Sequence, residues 1–416
     1  MTAIAGRARP DKLFTVGIPV FNGRSLLRSC LQSVISSTLP RDRFEIVIAD
    51  DGSSEPETLE ILREIEQSLA AEPGFFRVIS LGTNSGGAAR PRNRILDEAV
   101  GEYVFFVDAD DTIGDLALER IADALATTPA DWVALHQVPV NGRAAACEVH
   151  RPHAEVPRVR ALTTLTVHKV FRRAEIERQG LRFDEGLPSG QDVSFAFSFI
   201  VHAARFLMLG AYDYYYLTQH AGNPNEPDHL SRRAKTPSAV IEKNQRILGS
   251  MLTDLRQSDV PEPEQRKILG DIVLPRLLIQ EGYLQAIVNA GPESGTAALR
   301  RLSALLAGPL VADLEPAVRK GLTRQHLSLV AESDWVGLGR MVRPTPAPKS
   351  PLPLIPRWVN RGRRVADLAS GRARHRRVVH ELDLLRRAME DLQAGQRRLE
   401  VRLQAELSRR DGPVGR

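Results

Sequence analysis

The chain has 416 residues, 43% of them hydrophobic, and a formal net charge of +5. That length leaves room for two or three compact units, and that apolar content excludes wholesale disorder. The charge is too mildly basic to argue for nucleic acid, and Cys30 and Cys147, the only cysteines, argue against a disulfide framework or a thiolate metal centre.

The first third alternates in type. LFTVGIPV (13–20) reads as a buried strand and is followed by a helical stretch from Ser25 to Ser37. FEIVIAD (44–50) is a second strand, and EPETLEILREIEQSLA has apolar residues at helical spacing. FFRVISL (75–81) is a third strand, and after another helix Tyr103 to Val107 make a fourth. Strands alternating with helices predict an α/β fold, a largely parallel sheet with helices on both faces. Ligands of such sheets sit at the carboxyl ends of the strands. The polar clusters FNGRS, DDGSS, TNSGG and DADD all fall there.

Mixed structure is expected from Leu162 to Ser231 and mostly helix from 237 to 340. The proline-dense RPTPAPKSPLPLIPRW (343–358) cannot be regular helix and reads as an extended linker. Between Arg357 and Arg377 eight arginines face one acid, Asp367. Beyond them Val378, Leu385, Leu392 and Leu399 form one sevenfold series, and Leu382, Met389, Gln396 and Leu403 a second. That spacing predicts a coiled-coil seam and a homo-oligomer, weakened by Gln396 and Gly395; a single amphipathic helix docked on the body is the alternative. The expected divisions are therefore 1–235, a helical region 236–342, the linker 343–358, and a basic and coiled-coil segment 359–416.

No stretch approaches the run of about 18 apolar residues that a spanning helix needs. MTAIAGRARPDK at the N-terminus lacks the apolar core of a signal peptide. A cytoplasmic protein is expected, with the arginine cluster allowing peripheral contact with an anionic membrane at the inner face of the plasma membrane. A solvated linker is the competing reading of those arginines. They lack the aromatic interleaving of a nucleic-acid site, so no nucleic-acid partner is expected.

The sharpest local question is why a hydrophobic strand should end on Asp108, Asp110 and Asp111, whose charges repel. A bound cation relieves that repulsion. Elsewhere on the same rim, Pro19, Phe21 and Asn22 lie at the exit of strand one and Asp51 at the exit of strand two. An aromatic face and a carboxylate can hold a nucleobase by stacking and by accepting a ring N–H. DDGSS alone would read as a turn. NSGGAARPRNR (84–94) is a Gly-rich loop entering a helix, able to offer N–H groups and arginines to phosphate.

Together VGIPVFNGRSLLRSCLQSVISST, FEIVIADDGSSEPE, NSGGAARPRNRILDEAVGEYVFFVDADDTI and HKVFRRAEIERQGLRFDEGLPSGQDVSFAF resemble family 2 glycosyltransferases with the GT-A fold. The resemblance covers residues 13 to 235 and is strongest to the bacterial enzymes of teichoic-acid and capsular polymers. It implies an inverting, metal-dependent transferase moving a sugar from a nucleotide sugar, a UDP-sugar by expectation, to a glycopolymer or lipid-linked hydroxyl. A non-catalytic coiled-coil scaffold and a sugar nucleotidyltransferase are the alternatives. It implies that Pro19, Phe21, Asn22, Asp51, Asn84, Arg92 and Asp108 bind the donor, with Phe21 in place of the commoner Tyr. Asp110 would hold Mn²⁺ or Mg²⁺. His229, in EPDHLS (226–231), would be a further metal ligand, with His220 as competitor. Asp192 would be the general base, with Gln191 where the family usually has Glu; Asp192 also reads as the cap of an apolar helix, and both can hold, because a cap is a rigid place for a base.

Overall fold

The computed structural model describes residues 12–140, 149, 153–218, 235–308 and 322–342. The chain divides into two compact units, Met1–Thr345 and Pro346–Arg416. The proline linker, the arginine cluster, the heptads, His220 and His229 all lie outside the described residues.

The order begins β1 (Phe14–Val20), α1 (Arg24–Ile35), β2 (Phe44–Asp50), α2 (Pro56–Ser68), β3 (Phe76–Ser80), α3 (Ala89–Glu98) and β4 (Tyr103–Phe106). β1, β2 and β4 are buried at every residue, as central parallel strands covered on both faces must be. Alternate residues serve two cores. Phe14, Val16, Ile18 and Val20 of β1 pack with Leu27, Leu31 and Val34 of α1. Val47 and Ala49 of β2, with Val104 and Phe106 of β4, face Ile95 and Leu96 of α3. Period-two strands thus feed a helix layer on each side.

The chain continues through β5 (Thr112–Ile113), α4 (Ala117–Thr127), β6 (Trp132–Leu135), β7 (Gln137–Val140), β8 (His153–Glu155), α5 (Arg158–Ala161) and β9 (Lys169–Arg172). Then come α6 (Arg173–Gln179), α7 (Gln191–His202), β10 (Phe206–Leu209) and β11 (Tyr215–Thr218). The main sheet has eight strands in the order β3-β2-β1-β4-β9-β6-β10-β8, and β5-β11-β7 form a second sheet. β1 to β4 are parallel as expected. The sheet as a whole is mixed, because β9 runs antiparallel to both β4 and β6, and β8 to β10. The other strands of the main sheet all run the same way, so the largely parallel expectation holds, with β9 and β8 reversed. Strand direction follows from which end of the sheet the chain re-enters it, and the four residues KVFR of β9 carry no record of that. The antiparallel insertion has a consequence for chemistry: the residues entering β9 lie beside the residues leaving β4.

α7 is buried from Val193 to Val201 and carries a phenylalanine stack, with Phe183 and Phe195 at 3.9 Å and 4°. α8 (Pro237–Gln257) packs against it. Thr236 starts α8 by accepting the Ala239 N–H, and Pro237 follows where its missing N–H costs nothing. Ile241, Ile247, Leu248, Met251 and Leu255 form the buried stripe of α8. α9 (Glu262–Ile268), two wide turns of π-helix, α10 (Tyr283–Asn289) and α11 (Pro292–Leu306) complete this layer with helices Arg324–Ala331 and Trp335–Met341. Their apolar residues share one continuous core with α7 and the sheet.

Candidate active site

Four strand ends and one helix start meet the rim. The Asp51 N–H bonds the Val20 carbonyl at 2.8 Å, so the ends of β1 and β2 leave the sheet side by side. Gly52 then needs φ +77°, and a Cβ there would stand 2.7 Å from the Thr83 backbone, so the two loops touch. Only glycine fits that approach.

Pro19 is buried within β1, and Phe21 just beyond it is 48% exposed. Asn22 is otherwise engaged: its side-chain oxygen accepts the N–H groups of Ser54 and Glu55 at 2.9 and 3.2 Å, holding the entry to α2. Asp51 is 2% exposed. One of its oxygens accepts both the N–H and the hydroxyl of Ser85, each at 2.8 Å, and the other has no hydrogen-bond partner. Asn84 shapes the Gly-rich loop by accepting the Gly86 N–H at 2.8 Å.

Arg92 projects from α3 and is buried; it donates to Asp108 Oδ1 at 2.8 Å. The guanidinium also lies 5.6 Å from the Phe183 ring centroid. The other carboxylate oxygen of Asp108 bonds His168 Nε2 at 2.7 Å. Burial works to raise the Asp108 pKa, yet the His168 imidazole and the Arg92 guanidinium outweigh it and hold the carboxyl well below its usual range. His168 was not among the residues expected from sequence. It sits at the entry to β9, beside the exit of β4 because those strands are antiparallel. Its signal was HKVFRR read as an antiparallel partner of the aspartate strand.

Asp111, fully buried, accepts from the Tyr215 hydroxyl at 2.9 Å and the Thr218 N–H at 2.8 Å. Asp108, Asp111 and His168 together bring ligand-type atoms within 4.8 Å of one another, a group able to hold a metal ion. The donor chemistry, carboxylate oxygens with one imidazole, suits Mg²⁺ or Mn²⁺. Asp110, expected as the ligand, is partly exposed in the turn between the partly exposed Asp108 and the buried Asp111.

Asp192 lies half-buried in the first turn of α7. It is not the cap; Gly190 occupies that position at φ 84°, with no side-chain cap. A carboxylate one turn into a helix is favoured by the helix dipole. Gln191 is buried with its side-chain oxygen unpartnered. The loop before Asp192 meets the Gly-rich loop, since a Cβ on Gly87 would stand 3.4 Å from the Pro188 carbonyl. Asn93 of α3 fastens the same loop through the Phe183 N–H and carbonyl, at 2.8 and 3.0 Å. The aspartate rim, the Gly-rich loop and the loop leading into α7 are thus packed against one another.

Residues 15–183 match the family model for glycosyl transferase family 2. This domain belongs to glycosyl transferase family 2. The poly(ribitol-phosphate) β-N-acetylglucosaminyltransferase TarS of Staphylococcus aureus is 28% identical over 263 residues, 62% of this chain and 43% of TarS. A poly(ribitol-phosphate) β-glucosyltransferase of Bacillus spizizenii is 27% identical over 62% of this chain and 39% of its own length. The chain therefore spans less than half the length of these curated relatives. The crystal structure of S. aureus TarS 1-349 in complex with UDP-GlcNAc matches with a TM-score of 0.67 at 25% identity, covering 79% of this chain and 90% of that one. The GT-A architecture expected from the family 2 motifs is the one found.

Proposed function

We propose that this chain is an inverting glycosyltransferase that moves a sugar from a UDP-sugar to a hydroxyl of a cell-wall glycopolymer or its lipid-linked form. The observation that carries this reading is Asp51, a buried carboxylate with one oxygen held by Ser85 and the other unpartnered, next to the loop that exposes Phe21. A buried acceptor without a donor is costly. The ring N–H of uracil, stacked on Phe21, supplies that donor. The fold likeness to TarS bound to UDP-GlcNAc supports the same base.

In this reading the Gly-rich loop and the start of α3 receive the diphosphate through backbone N–H groups. Asp108, fixed by Arg92 and His168, meets the ribose side of the nucleotide. Asp110 would hold a divalent cation at the rim, with His229 as its further ligand. Such an ion, when bound, offsets the charge developing on the departing nucleoside diphosphate. Asp192 accepts the proton of the acceptor hydroxyl as its oxygen bonds to the anomeric carbon and the bond to the diphosphate oxygen breaks. A single base with direct displacement inverts that carbon. The segment 359–416 supplies self-association, and its arginines supply contact with an anionic membrane surface.

A donor screen tests the proposal. Nucleotide release is measured from UDP-, GDP- and TDP-sugars with Mn²⁺ present. UDP-sugars should be turned over; turnover confined to another nucleotide, or to none, would sink it.

A further inference from the structure

The turn from Asp108 to Asp111 presents Asp110, and the Asp111 N–H closes it onto the Asp108 carbonyl at 3.0 Å. One hydroxyl grips both ends of that turn. Tyr215 Oη accepts the Asp108 N–H at 3.0 Å and donates to Asp111 Oδ2 at 2.9 Å. Asp111 Oδ1 accepts the Thr218 N–H at 2.8 Å, so a second bond ties the turn to β11. The Tyr215 ring is held in place from both sides. It stacks on His168 at 5.0 Å and 28°, and meets Phe105 edge-on at 6.2 Å. Burial and the charges of Asp111 and Asp108 push the Tyr215 hydroxyl well above its ordinary pKa, so it stays a donor.

We propose that Asp111 is a positioning residue, not a cation ligand, and that with Tyr215 it forms a buried clamp fixing where the turn presents Asp110. The inference rests on the cation-dependent transfer proposed above. Both Asp111 oxygens already accept from buried donors of β11, so that strand sets the carboxylate's orientation, and moving it to meet an ion would lengthen those bonds. The sequence makes the three aspartates look equivalent. The structure assigns them three tasks: Asp108 pairs with Arg92 and His168, Asp111 anchors to β11, and Asp110 occupies the half-exposed position between them.

The test compares full-length wild type with Tyr215→Phe, Asp111→Asn and the double variant. Mn²⁺ binding in the presence of UDP is measured by calorimetry, and amide exchange of residues 108–111 is measured in metal-free protein. Residues that orient a ligand typically change metal affinity by about 10–100-fold. Tyr215→Phe, which removes no carboxylate, should weaken Mn²⁺ on that scale. Asp111→Asn should do likewise, and the double variant should be no weaker than the worse single one, because the pair acts as a unit. Exchange at 108–111 should quicken in Tyr215→Phe while α7 keeps its protection. Wild-type Mn²⁺ affinity in Tyr215→Phe, with binding abolished in Asp111→Asn, would make Asp111 a ligand and overturn the proposal. Should wild type bind no Mn²⁺ at all, the cation reading fails by itself. The clamp is then upheld by quickened exchange in Tyr215→Phe and overturned by unchanged exchange.

Discussion

Arg92 and Asp108 are joined by a hydrogen-bonded ion pair of 2.8 Å, with the guanidinium side chain only 6% exposed. It links α3, which follows the Gly-rich loop, to the end of β4. Removing one member of a buried pair costs about 3–5 kcal/mol, because the other charge is left uncompensated. Asp108 is partly exposed and keeps His168, so Arg92→Ala should lose about 3 kcal/mol, the low end of that range. Urea denaturation measures this directly. A loss under about 1 kcal/mol, the scale of a surface pair, would mean that the pair does not brace the rim.

A second pair gives a pH signature. Lys243, buried in α8, bonds Glu281 at 2.7 Å. Burial acts to raise the Glu281 pKa, but the hydrogen bond and charge of Lys243, with Arg276 and Lys235, bring it below its ordinary value. A carboxyl whose folded pKa is depressed contributes stability that is complete above its unfolded pKa and lost as pH falls through the folded one. The stability advantage of wild type over Glu281→Gln should therefore be constant above about pH 5 and shrink below about pH 4.3. An advantage that grew on acidification would have the wrong sign.

Asp192→Asn keeps the size of the side chain and removes the proposed base. Turnover should fall by about 10²–10⁴ with donor binding nearly unchanged. The anomeric configuration of the product checks the same step, since one base and direct attack require inversion. A loss confined to donor affinity would place Asp192 with the nucleotide instead.

For the tail, truncation after Pro346 should give a smaller oligomer that still acts on short soluble acceptors. Each basic residue near an anionic bilayer contributes about 1 kcal/mol, so the truncated protein should also cease to sediment with anionic vesicles. Equal masses by light scattering for both forms would remove the coiled coil. Failure of the full-length protein to bind vesicles at low salt would remove the membrane contact separately.

How much of this was legible in the residues differs from element to element. β1, β2 and β4 are short runs of β-branched and aromatic residues buried on both faces, a pattern that survives without knowledge of partners. The place of Asp51 on the rim was legible because it follows such a run, and that of Arg92 because the Gly-rich loop leads into α3. His168 was not, because its partner Asp108 lies 60 residues away and the contact depends on the direction of β9. Asn22 read as a donor contact, but its side-chain oxygen holds the backbone of Ser54 and Glu55. Asp192 read as a helix cap as well as a base, and Gly190, with a left-handed backbone, takes the cap position instead. Helix 237–257 was legible from its apolar stripe, whereas its sharing of one core with α7 is a tertiary fact.

In the proposed reaction, sugar transfer from a UDP-sugar depends on a divalent cation held at Asp110. The most direct measurement is the rate of glycosyl transfer from the UDP-sugar that the donor screen selects to a cell-wall glycopolymer acceptor, with Mn²⁺ and then with excess EDTA, for wild type and Asp110→Ala. The account predicts transfer by wild type with Mn²⁺, its loss in EDTA with recovery on adding Mn²⁺ back, and no transfer by a folded Asp110→Ala protein. Transfer at full rate in excess EDTA, or by Asp110→Ala, would contradict it.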